Sequence, residues 1–401
     1  MNVAHRVRSL LGEDGIVDDH SNGPPLAVPR TTEACALILA AANAEGWKVR
    51  IAGAGTWSGP CATADLVVTT TGLDRISVIH AADLVATVEA GVTWEHLRQA
   101  LADQGTWVAA DPPGTLRTVG SVVATGTGGP LRAGFGGIRD HLLGLTLVTG
   151  EGRILRPGGQ VVKNVAGFDL TRLMVGTFGV FGVITSVNLR LRSVPRADAT
   201  LILAGERDEL LDRALRVLDA GEAPAAIELL SPAAAGRASW TLAIRLLGSE
   251  PAVEEGRRAV NGAAGTALDD VGPADAAQFW RSLAAGACQA PTTLRVGGLP
   301  TSLPDVLDLI AHYLDSEWIT ASVALGSVRW AGNTSAERIK LLRHAALQHE
   351  CPVTLERAPW NIIELAGHYG AYREGVARLV TSLRRSFDPH QVLVAIPGPA
   401  E

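Results

Sequence analysis

Residues 115–141 read TLRTVGSVVATGTGGPLRAGFGGIRDH. Glycine has no Cβ, so a run this rich in it lets backbone approach a ligand closely. Thr118 is a candidate helix cap. A helix starting there is expected to present the N–H groups of Gly120 and Ser121 to an anion. Gly126, Gly128 and Gly129 would let the chain lie against a flat ring. Upstream, residues 50–59 read RIAGAGTWSG. There the amides of Gly53, Ala54, Gly55 and Thr56 can form a concave anion nest, with the hydroxyls of Thr56 and Ser58 as further donors. Alone, that loop reads equally well as a tight hairpin. Two anion-binding loops far apart in sequence suit a long, diphosphate-containing cofactor. A third glycine-rich cluster, KNVAGFDLTRLMVGTFGVFGVIT at 163–185, has the same character.

The first loop does not fit a dinucleotide-binding turn. That turn needs strand, G-x-G-x-x-G and helix in succession, because the helix N-terminus holds the pyrophosphate. Here Ser58 stands at the third glycine position, Gly59 comes one residue late, and a strand follows. Asp74 imitates the ribose-binding acid only by its spacing. No G-x-x-x-x-G-K-[ST] occurs, which excludes a P-loop NTPase.

Bulk properties set outer limits. A chain of 401 residues exceeds one comfortable core, so two domains are expected. A net charge of −6 argues against a nucleic-acid partner, which calls for a basic face. Cys35, Cys61, Cys288 and Cys351 are too scattered for an iron–sulfur cluster or structural zinc, so no metal site is expected. MNVAHRVRSLLGEDG lacks an apolar run, so no signal peptide is expected and the location reads as cytoplasmic. Leu173 to Leu189 is apolar, but its glycines and strand-like alternation favour a buried turn and strand over a transmembrane segment.

Helices are expected at 31–46, 93–105, 206–225, 251–264, 273–285, 303–315, 334–349 and 371–385. Strands are expected at 48–52, 65–71, 84–92, 143–148 and 153–155, and up to Val194. AIELLS, TLAIRLL, TLRVGGL and ASVALGSVRW are read as further strands, with no internal repeat of fixed period. The fold class is α+β, in three segments: a cofactor domain at 1–196, a cap domain at 197–380 and a returning tail at 381–401.

Taken together, the clusters resemble the vanillyl-alcohol-oxidase, or p-cresol-methylhydroxylase, type of FAD-binding flavoprotein. The matching features are Val28-Pro29-Arg30-Thr31-Thr32-Glu33, the GAGTWS loop, Thr118-Val119-Gly120-Ser121 and Phe135-Gly136-Gly137-Ile138-Arg139-Asp140. Gly167-Phe168-Asp169-Leu170-Thr171, Gly176-Thr177-Phe178-Gly179, Phe387-Asp388-Pro389 and Pro397-Gly398 continue the match. Lys163 to Asp169 is most similar to the glycolate oxidase E-subunit type.

The resemblance implies a two-lobed FAD-binding domain under a cap with a ferredoxin-like sheet and helices. It implies that Gly53, Ala54, Gly55, Thr56, Trp57 and Ser58, with Gly120 and Ser121, contact the FAD diphosphate. Gly128 and Gly129 would lie near the flavin, and Gly179, Val183 and Ile184 would line the adenine or ring. Pro112, Thr118, Thr125, Gly136 and Asp169 complete the implied cofactor site. Thr56-Trp57 stands where many relatives carry a flavin-linking histidine, so FAD is expected to be non-covalent. The implied activity is oxidation of a small 2-hydroxy acid such as glycolate, alongside a second flavin subunit and an iron–sulfur subunit. Such partners would tether the chain to the inner membrane from the cytoplasmic side. A stand-alone oxidase of another alcohol or sugar lactone, or an assembly subunit without chemistry, are the alternatives.

One departure stands out. Hydroxy-acid-oxidising relatives carry a His-x-Gly-Asp-Gly-type segment, and this chain has none, so no catalytic residue is identified. His312, His344, His349 and His368 are scattered and read as surface or structural. Arg295, Arg329 and Arg357 near strands can bind a carboxylate, but paired or solvated arginines are the plainer reading. Trp57, Trp330 and Trp360 read as core packing ahead of ring stacking.

Overall fold

The structure is a computed structural model describing residues 2–17, 23–57, 63–114, 116–159, 169–315, 318–370 and 374–394. The first two hundred residues build two main sheets and a two-stranded ribbon, Thr106–Trp107 with Arg192–Ser193. The smaller has four strands, in the order Ile16–Val17, Leu26–Ala27, Leu66–Thr69, Val49–Ala52. It packs on the helix Thr32–Glu45, which starts at Thr31, whose side chain accepts from the Ala34 amide, and stops at left-handed Gly46. The larger is antiparallel, in the order Ile76–His80, Val85–Glu89, Val183–Arg190, Leu142–Val148, Ile154–Leu155. The apolar segment 173–189 is a turn leading into a central strand of this sheet, as its alternation predicts. The strand Ile76–His80 and the N-terminal helix Val3–Leu11 went unread in the sequence.

The cap is one antiparallel sheet of eight strands. It consists of two βαββαβ units side by side. The first unit has strands Ala197–Gly205, Ala226–Leu230, Trp240–Gly248 and Asp269–Val271, in spatial order fourth, first, third, second. The second has Thr292–Gly297, Trp318–Ser322, Ser327–Gly332 and Val353–Arg357, in spatial order second, third, first, fourth. Each is a ferredoxin-like arrangement, and their second strands meet at the middle through Glu228↔Ser322, Leu229↔Ala321 and Leu230↔Thr320. The duplication therefore lies in topology and leaves no period in the sequence. ASVALGSVRW, expected as one strand, is a hairpin that turns at Val323–Leu325 and left-handed Gly326.

Strand alternation sorts the cap's two faces. Ile227, Leu229, Leu294, Val296, Val328, Trp330 and Leu355 point into one apolar core against the helices Arg207–Asp219, Glu250–Ala264, Leu303–Tyr313 and Ala336–Gln348. Glu228, Arg295, Arg329 and Glu356 alternate with them and face the first two sheets. The linking helix Pro273–Gly286 covers part of that same face through Trp280 and Leu283. After the helix Glu374–Phe387 the chain returns to the small sheet, where Val49 N donates to Val392 O at 2.8 Å.

Candidate active site

A groove runs between the two main sheets of the first unit. Gly53, Ala54, Gly55, Thr56, Trp57, Gly120, Ser121, Thr125, Gly179 and Ile184 all line it. These residues come from three separate glycine clusters, brought together by the strand ending at Ala52, the helix Val119–Thr125 and the turn before Val183. Gly53 packs so tightly that a Cβ would sit 2.4 Å from Thr118 Oγ1. Gly55 has φ +71 and faces open space, a conformation that an L side chain rarely adopts. Among the described residues, the amides of Ala54, Gly55 and Thr56 donate to no protein acceptor.

The second cluster works differently from expectation. Thr118 does cap its helix, accepting from Ser121 N at 3.2 Å. However, Gly120 N donates to Ala90 O at 2.8 Å, so neither expected amide is left free for an anion. Gly120 is instead a close-packing position, where a Cβ would meet that of Ala90 at 2.7 Å.

Behind the Trp57 wall of the groove lies a buried cation, Arg117, a residue whose sequence context gave no sign of a role. It is 1% exposed. Its Nη1 donates to Thr127 Oγ1 at 2.5 Å, and its Nη2 to Ser121 O at 3.0 Å and Thr125 Oγ1 at 2.5 Å. The guanidinium lies 3.9 Å from the ring centroid of Trp57. Burial lowers its pKa to about 9, so it remains a cation at neutral pH. Among the described residues it forms no ion pair with a carboxylate. A buried charge left this way is costly unless a ligand anion balances it.

Phe178 and His368 close the other side. Phe178 is held at φ 54, strained for a side chain this bulky, by its N–H to Ala124 O at 2.7 Å. His368, read from sequence as surface or structural, is 5% exposed and stacks on Phe178 with centroids 4.2 Å apart. Burial pushes its pKa down to about 4, so the ring is neutral at pH 7. Its Nδ1 is 2.6 Å from Leu355 O, which fixes the proton on that nitrogen. The first loop lacks an imidazole, but the groove does not.

Gly128 and Gly129 line a second pocket, where the cap meets the first unit. Glu228, Arg132, Arg295 and Arg329 face into it. Glu356 accepts from Arg329 Nε at 2.8 Å and from Arg295 Nε at 3.2 Å, while Arg329 Nη2 also donates to Gly128 O at 2.9 Å. Burial pushes Asp111 up to about 7 and Glu228 up to about 8. Arg357 instead donates to the Ala290 carbonyl.

The remaining expected positions serve the frame. Val183 is buried and pairs with Val148 across the large sheet. Exposed Asp169 caps Leu170–Leu173 through the Arg172 amide. Gly136 has φ +83 beside Asp140, and Pro112 is buried. Ser58 and the stretch Lys163 to Phe168 lie outside the described residues.

Comparison with known proteins gives the family. The FAD binding domain family matches residues 25–158. Glycolate oxidase subunit GlcE of Escherichia coli (strain K12) is 33% identical over 260 residues, covering 64% of this chain and 67% of GlcE. This chain belongs to the FAD-binding family of the p-cresol-methylhydroxylase type. Glycolate oxidase subunit GlcD of Bacillus subtilis (strain 168) is 31% identical over 228 residues, covering 56% of this chain and 48% of GlcD. The chain thus spans two thirds of one relative and about half of the other. The structure of p-cresol methylhydroxylase with substrate bound superposes with a TM-score of 0.77 at 14% identity, covering 97% of this chain and 95% of that one, a likeness of fold.

FAD is the cofactor of this family, and the residues fit it. The free amides of Ala54 to Thr56 line the groove and suit a diphosphate, and the Arg117 cation lies behind them against Trp57. The Trp57 Nε1 is buried without a partner among the described residues, a further donor in the same wall.

Proposed function

We propose that this chain is an FAD-dependent oxidoreductase acting on CH–OH groups, a subunit of a glycolate-oxidase-like assembly that converts 2-hydroxy acids to 2-oxo acids. The observation that carries this reading is the adjacency of the two sites. The segment from Ser121 to Gly129 passes from the diphosphate groove to a pocket lined by arginines. Bound FAD supplies the acceptor for the hydrogen on C2 and its electron pair. The chain's own residues hold the cofactor, present the substrate and shut out water. GlcE and GlcD are named as subunits of glycolate oxidase, which supports partner subunits, and a second flavin subunit and an iron–sulfur subunit are the partners this reading proposes. Among the described residues no three His, Cys, Asp or Glu side chains group to hold a metal, and no helix is long and apolar enough to cross a membrane.

The cap pocket also favours a second reading, in which this chain oxidises its substrate unaided. Anaerobic addition of glycolate to the purified protein separates the two. Bleaching of the flavin by the chain alone supports the unaided enzyme, and bleaching only with partners supports the subunit. No bleaching in the complete assembly overturns both in favour of an assembly role. We further infer that the FAD is non-covalent, so acid precipitation should leave yellow flavin in the supernatant. Flavin retained in the pellet, and lost from it in His368→Ala, would assign a covalent link to the imidazole in the groove.

A further inference from the structure

The pocket at the cap seam has an unbalanced charge. Three guanidiniums, those of Arg132, Arg295 and Arg329, surround one ionised carboxylate, Glu356, which burial alone would neutralise but the neighbouring arginines keep charged. Arg132 and Arg329 both converge on Gly128. Arg329 bonds its carbonyl, and a Cβ added to Gly128 would meet Arg132 Cδ at 3.3 Å. The Arg132 side chain makes no hydrogen bond or ion pair among the described residues. An arginine fork of this kind recognises a carboxylate. Opposite it stands Glu228, 2% exposed on the central strand of the cap. Its Oε1 is buried with no hydrogen-bond partner among the described residues, and Ser322 stands across from it on the facing strand. Buried acceptors are rarely left unpaired, so an orphan aimed into a pocket marks a ligand contact.

We propose that this pocket is the substrate site, in which the arginines hold the carboxylate of a small 2-hydroxy acid and Glu228 Oε1 accepts its hydroxyl hydrogen. The proposal rests on the oxidoreductase reading above and supplies a proton acceptor in a pocket that no described histidine lines. In the oxidation the substrate O–H bond breaks and its proton passes to the Glu228 carboxylate. The C2 hydrogen leaves with its electron pair to the flavin, and the C–O bond becomes a carbonyl. Asp111 and Arg329 are the charged groups that act on Glu228, with Ser322 across the strand pair. Burial and Asp111 favour the neutral acid, so the accepting form grows toward alkaline pH.

The test is calorimetric titration of the flavin-loaded protein with acetate and with glycolate, anaerobically and with the flavin already reduced so that no turnover occurs. Wild type should bind both, with glycolate tighter. Arg132→Ala, a change at an exposed residue, should weaken both about tenfold, as loss of a charge-assisted hydrogen bond predicts. Glu228→Ala should erase the preference for glycolate and leave acetate binding intact, and Glu228→Gln should restore the preference. With oxidised flavin, Glu228→Gln should slow flavin reduction by glycolate about a hundredfold or more and abolish its rise toward pH 8. No saturable binding by wild type, unaltered binding in Arg132→Ala, or a preference that survives Glu228→Ala would each overturn the proposal. Intact, arginine-dependent and Glu228-dependent binding with no flavin reduction by any 2-hydroxy acid would instead sink the oxidation reading and leave the pocket standing.

Discussion

At the residue scale, Arg117 and Glu228 are both buried ionisable side chains, and the ligands proposed above would balance each of them. Replacing Arg117 by Met removes a buried cation, a change often neutral or stabilising in an empty protein. The expected result is a flavin-free melting temperature at or above that of wild type, with FAD affinity at least about tenfold weaker. Equal FAD affinity would show that Arg117 does not face the diphosphate. The titrating groups set the pH profile of stability. Glu228 has its pKa raised from 4.5 to about 8, so its contribution is full below the unfolded value and is lost as pH rises through 8. His368 is lowered from 6.5 to about 4, so its contribution is full above 6.5 and is lost as pH falls toward 4. Thermal unfolding should therefore weaken in both directions. Glu228→Gln should flatten the decline between pH 5 and 8 and leave the acid side unchanged.

Among the elements, glycine was the most legible signal, because a missing Cβ is a geometric requirement that the sequence states outright. The hairpin at Gly326 shows how strict that is: φ is +60, and a Cβ would lie 2.3 Å from the Leu299 carbonyl carbon. Gly326→Ala should cost about 2 kcal/mol or more in urea unfolding, from left-handed strain and overpacking together. A cost under about 0.5 kcal/mol would mean the turn relaxes freely. The site's charged residues were visible one strand at a time. Alternation in AIELLS and TLRVGGL shows that Glu228 and Arg295 sit on the opposite face from their apolar neighbours. It does not show which strands are adjacent, so three arginines and three acids spread from Asp111 to Glu356 read as unrelated. His368 fared likewise, since nothing local says that a residue near the end of the cap reaches the first glycine loop. The anion-binding role expected of Gly120 failed for a simpler reason: Ala90 supplies the acceptor from a strand the spacing could not pair with it.

In the molecule as a whole, the cofactor unit was legible and the cap's construction was not. Three glycine clusters carry a recognisable order, whereas two βαββαβ units with diverged sequences announce themselves only through the order of their strands. The units join through three residue pairs, against nine between Ala197–Gly205 and Trp240–Gly248. Amide hydrogen exchange should therefore be faster along Ala226–Leu230 where it meets Trp318–Ser322 than within either unit. Uniform protection across the sheet would contradict a weak middle. Glu228 belongs to one unit, while Arg295 and Arg329 belong to the other. An acid anion seated among them, as proposed, would act as a rivet across the junction of the two units, so occupancy and mechanical cohesion would rise together.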